Sequence, residues 1–128
     1  MNTVQPYSIP LRRELSAEEG ALLVHILERE APARLSEVAR LKVVARCGCG
    51  KCPTVIFGPS LEAEPLPARP FVEIANYLGR NRDGVLVGIA LLEREGQVSE
   101  LEAWSPEGGE VTAWPGVSEL ERVGETDA

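Results

Sequence analysis

Three cysteines fall within six residues, in the run Cys47-Gly48-Cys49-Gly50-Lys51-Cys52-Pro53, and no other segment gathers groups of comparable reactivity. Three thiolates on a glycine-rich turn are able to hold zinc, because glycine lets the backbone fold tightly around an ion. A closed zinc site takes four ligands, and no fourth lies nearby in the sequence. The single histidine, His25, stands well upstream. The run also lacks the second Cys-x-x-Cys that marks the common zinc modules. The competing reading is a hairpin turn whose cysteines pack as small hydrophobes, with no cofactor at all. A redox role ranks below both.

Other reactive types are poorly placed for catalysis. A histidine base needs an orienting partner and a nucleophile, whereas helical spacing offers His25 mainly Glu28, Arg29 and solvent. There is no Gly-x-Ser-x-Gly elbow, phosphate loop or histidine–carboxylate metal motif, so no catalytic residue is assigned and an enzyme is not expected. Glu100 and Glu102 stand two apart in a strand-like run, the pattern of a solvated face. Arg80-Asn81-Arg82 beside Tyr77 reads as a polar turn, and the net charge of −7 opposes binding to phosphate.

The elements that would position these residues follow from periodicity. A chain of 128 residues is one domain by size. Residues 1–15 read as an irregular arm. Ser16-Ala17-Glu18-Glu19 is a capping box that opens a helix running to about Glu30, with Leu22, Leu23, Ile26 and Leu27 as its core stripe and His25 opposite. Pro32 suits the first position of a second, short helix with Leu35, Val38 and Ala39 inward. From Leu41 the period becomes two: strands are expected at 41–47, 54–57, 71–78, 85–92 and 98–104, with Asp83-Gly84 and Glu95-Gly96 as turns. Val111 to Trp114 suggests a further edge strand. The expectation is an α+β domain over 16–116, two N-terminal helices packed on an antiparallel sheet of about five strands, followed by an acidic tail over 117–128.

Charge is segregated along the chain. From Glu93 onward there are ten acids and two bases, while the preceding residues hold ten acids and eleven bases. A concentrated negative field repels nucleic acid and anionic membrane and steers a cationic protein. The first residues hold no apolar core of a secretory signal, and Val85 to Leu92 is too short to span a bilayer, so a cytoplasmic location is expected. Strand alternation puts Glu100, Glu102 and Trp104 on one sheet face and Phe71, Glu73 and Tyr77 together on the neighbouring strand. Aromatic anchors inside an acidic field suit the binding of a basic protein. In the alternative, Trp104 and Phe71 close a second small core beneath the loop of Pro59, Pro65, Pro67 and Pro70.

The segments Leu15 to Glu19, Val43 to Thr54 with Arg46-Cys47-x-Cys49 and Cys52-Pro53-Thr54, Asp83-Gly84 to Leu92, and Gly96 to Glu102 together resemble a group of small uncharacterised bacterial α+β proteins, over roughly residues 15–110. That resemblance brings no activity and no catalytic residues. In size, acidity and layout the chain also resembles the immunity proteins that protect bacteria from secreted toxins. That likeness implies binding of a basic cognate toxin domain and occlusion of its active site, with Glu73, Tyr77, Glu100, Glu102 and Trp104 as the contact face. The alternative is a zinc-binding regulatory or accessory protein using Cys47, Cys49 and Cys52.

Overall fold

The computed structural model describes residues 5–124. The Ser16 hydroxyl accepts from the Glu19 amide at 3.0 Å and the Glu19 carboxylate accepts from the Ser16 amide at 2.9 Å, closing the capping box that starts helix α1 (Ala17–Glu30). Arg13 clamps the same carboxylate with two hydrogen bonds of 2.9 and 2.8 Å. Leu22, Leu23, Ile26 and Leu27 are fully buried in one cluster with Val43, Phe57, Tyr77, Ile89, Leu91 and Leu101 of the sheet.

Among the described residues seven strands form one antiparallel sheet: β1 (Ser8–Glu14), β2 (Lys42–Cys47), β3 (Val55–Gly58), β4 (Val72–Arg80), β5 (Leu86–Arg94), β6 (Gln97–Trp104) and β7 (Glu121–Arg122), in the order β1-β2-β3-β6-β5-β4-β7. The sheet is larger than expected at both edges. Residues 8–14, read as an arm, pair with β2, and Glu121–Arg122, read as tail, pair with Tyr77 and Leu78. Val111 to Trp114 takes no strand conformation, although Val111 and Trp114 are buried in the main cluster. Residues 1–4 of the expected arm and 125–128 of the expected tail lie outside the described residues.

The second helix is of 3₁₀ type (Pro32–Arg40). Its three-residue period brings Leu35 and Val38 over the core, with buried Leu41 next in register, and turns Ala39 out to solvent. Ala39 was expected inward on α-helical spacing. Among the described residues no helix is long and apolar enough to cross a membrane.

Of the sheet's irregularities, the bulges in β4 and β6 decide which of the expected contact residues share a face. Glu73 pairs with Leu92 but Ala75 pairs with Leu91, so β4 carries one extra residue there. Likewise Leu92 pairs with Glu100 but Glu93 with Val98, an extra residue in β6. Each insertion reverses the alternation beyond it.

Candidate functional site

Cys47 ends β2, and its amide donates to the Thr54 carbonyl at 3.3 Å, so the cysteine run is the loop of the β2–β3 hairpin. The Gly48 amide donates to the Tyr7 carbonyl at 3.0 Å, and a Cβ at Gly48 would stand 1.7 Å from the Pro6 carbonyl oxygen. Only glycine permits that approach. Arg46 donates to the Cys52 carbonyl at 3.2 Å and anchors the far end of the loop.

These constraints bring the Cys47, Cys49 and Cys52 sulfurs within 4.8 Å of one another, and the Cys49 and Cys52 sulfurs to 3.4 Å. The Cys52 and Lys51 amides both donate to the Cys49 sulfur at 3.3 Å, and the Cys49 amide donates to the Cys47 sulfur at 3.5 Å. The Cys52 amide, more than any other neighbour, draws the Cys49 thiol down to about 7, because a donor to sulfur favours the thiolate. Burial pushes the Cys47 thiol up to about 12, and a neighbouring thiolate at Cys52 would oppose its ionisation further. Cys52 leans on Thr54, whose hydroxyl lies 3.3 Å from the Cys52 sulfur and accepts from the Ala103 amide at 2.8 Å.

Cys49 and Cys52 open onto a cleft of about 400 Å³ walled by Trp104, Lys51, Glu110 and Val111. Lys51 and Glu110 face each other across it at 3.6 Å. Cys47 lines a second cleft, of about 390 Å³, shared with Tyr7, Thr54, Glu100 and Glu102.

The expected acidic and aromatic face needs correction at two of its members. Tyr77 does not stand beside Glu73. The β4 bulge turns it to the helix side, where it is buried and its hydroxyl donates to Glu30 at 2.6 Å. Glu100 is on the expected face but is 2% exposed, paired with the equally buried Arg94 at 2.8 Å, and accepts from the Tyr7 hydroxyl at 2.5 Å. Tyr7, Phe71 and the Ala68 carbonyl close over the Arg94 guanidinium. The arm and the proline-rich loop thus cover this end of the sheet.

Three members remain accessible. Glu73 is exposed, Glu102 is half-buried, and Trp104 lies against Gly88 with its indole N–H donating to Asn76 at 3.1 Å. Burial first, then the charges of Glu100 and Glu73, raise the Glu102 carboxyl above its ordinary range.

His25 is half-buried rather than solvent-facing. Its ring meets the edge of Tyr77 at a centroid distance of 6.2 Å, and burial lowers its basicity. Asn81 is structural: its side chain accepts from the Asp83 and Val85 amides and donates to the Ala113 carbonyl. Sequence reading missed Tyr7, Thr54 and Arg94. Arg94 carried a signal, as one of two bases in an acidic third of the chain.

Comparison with known proteins found no matching family model, no matching curated protein and no matching solved structure.

Proposed function

We propose that the protein is a zinc-binding regulatory or accessory protein whose ion is held by Cys47, Cys49 and Cys52. The observation that carries this reading is the assembly of three sulfurs within 4.8 Å on a loop pinned at both ends. Thiolates around a tetrahedral zinc at Zn–S of about 2.3 Å lie roughly 3.8 Å apart, so small rotations of these side chains suffice. Amide donors to the Cys49 and Cys47 sulfurs offset the charge that three thiolates would concentrate. Among the described residues the cluster has three members, which leaves the fourth position to water or to a side chain of a partner, as suits an accessory role.

The test is metal analysis of protein purified without added zinc. One zinc per chain, lost in Cys49→Ser, is the expected outcome, and protein free of metal that also fails to take up added zinc would discard the reading. Because the thiols must lose protons, zinc affinity should fall as pH drops below 7.

A second reading retains an observation of its own. Glu73 and Glu102 act on each other electrostatically, and Trp104 stands on the same face. That supports docking of a basic protein, including a cognate toxin domain neutralised by occlusion, through Glu73, Glu102 and Trp104, with Glu100 and Tyr77 supporting the fold instead.

A further inference from the structure

The cysteine loop divides its three sulfurs unequally. Cys47 is tied into the strand ladder through its amide and lines the cleft beside Tyr7. Cys49 and Cys52 sit together in the loop, their sulfurs 3.4 Å apart, both open to the cleft beside Trp104. A disulfide needs about 2.05 Å between sulfurs, an approach of roughly 1.4 Å. Between the two cysteines stand Gly50, which already holds a φ of +70° with open space where a side chain would be, and the exposed Lys51. That stretch has room to tighten.

We propose that Cys49 and Cys52 are a site of reversible oxidation by hydroperoxides, forming a disulfide that withdraws two of the three sulfurs from the metal. The disulfide itself stands on this geometry; only the loss of metal rests on the zinc reading. The Cys49 sulfur attacks the O–O bond of hydrogen peroxide, one oxygen passing to sulfur as sulfenic acid and the other leaving as water. The Cys52 sulfur then attacks the Cys49 sulfur, and the sulfenic oxygen departs as a second water. Two thiols lose two electrons and two protons, and the peroxide takes up both. The two amides aimed at the Cys49 sulfur stabilise negative charge there, which makes Cys49 the attacking group. Cys52, with Thr54 as acceptor for its S–H, is the resolving thiol. A dithiol reductant reverses the bond by exchange.

The experiment treats metal-free full-length protein with equimolar hydrogen peroxide and maps its thiols by peptide mass. The expected product is a 49–52 linkage with Cys47 still free, restored by dithiothreitol. Cys52→Ser should stop at a sulfenic acid on Cys49 that dimedone traps, and Cys49→Ser should slow thiol loss by about tenfold or more. A linkage through Cys47 in comparable yield, or no linkage in folded wild-type protein, overturns the proposal. Zinc retention is measured separately on loaded protein, so the disulfide and the metal site fail independently.

Discussion

Glu100 and Glu102 stand two residues apart on one face of β6, yet their surroundings differ sharply. Glu100 has Arg94 at 2.8 Å and the Tyr7 hydroxyl at 2.5 Å, all inside a lid made by the arm and the proline-rich loop. Breaking a buried pair on one side strands a charge at a cost of about 3–5 kcal/mol, so these two residues act as one structural unit. Tyr7 is held in its neutral form by burial and by that carboxylate. Glu102 shares the neighbourhood without sharing the guanidinium bond, and burial together with Glu100 and Glu73 disfavours its charge. A carboxyl raised in the folded state favours folding fully below its unfolded value, and that contribution is lost as pH rises through the folded one. Glu102→Gln should therefore raise Tm at pH 7 by roughly 1–3 °C, with the gain vanishing below about pH 4. Thermal melts of both proteins across that range check this, and a gain that persists in acid would assign it to packing.

At the scale of elements, the capping box and the Arg13 clamp tie β1 to the start of α1 through one carboxylate. Burial pushes Glu19 up, but the Arg13 guanidinium and Ser16 together outweigh it and hold the carboxyl below its usual range. Stability from a depressed carboxyl is present above its unfolded value and lost as pH falls through the folded one. Glu19→Gln should cost about 2 kcal/mol at pH 7, and the difference from wild type should close as pH falls below about 4. Urea midpoints measured from pH 7 to 3 decide it; a constant difference would assign the cost to shape rather than charge. This cap was legible in Ser16-Ala17-Glu18-Glu19 because its bonds are local. The stripe of Leu22, Leu23, Ile26 and Leu27 was legible because period alone selects a face. The β4 and β6 bulges were not. A bulge is defined by what the partner strand does, so alternation read along β4 alone kept Tyr77 beside Glu73 when the fold separates them. The proximity of the cysteines was visible as spacing, and Thr54 meets Cys52 locally two residues on, whereas Tyr7 reaches the site through strand pairing about forty residues apart.

For the whole molecule, the charge asymmetry of the sequence is undone only in part in space, because among the described residues Glu95, Glu102, Glu119 and Glu121 enter no ion pair. Bases from the earlier residues come to the later acids: Arg34 to Glu93, Arg80 to Glu107 at 3.9 Å and Lys51 to Glu110 at 3.6 Å. Arg94 neutralises Glu100 from within the acidic segment itself. What survives as uncompensated field on the sheet face is local, since among the described residues Glu73 and Glu102 enter no ion pair. If the face docks a basic protein, the charge that steers it comes from these two, and the indole of Trp104 supplies the apolar contact that slows release. Glu73→Lys with Glu102→Lys should then abolish low-salt retention of a basic partner that wild-type protein captures at near-equal stoichiometry. Trp104→Ala should weaken retention at high salt, where the field is screened to within about 10 Å or less. Circular dichroism and thermal melts confirm that each variant is folded before capture from native lysate. Equal retention by the charge-reversed and wild-type proteins would remove this face from any partner and leave the cysteine cleft as the protein's working surface.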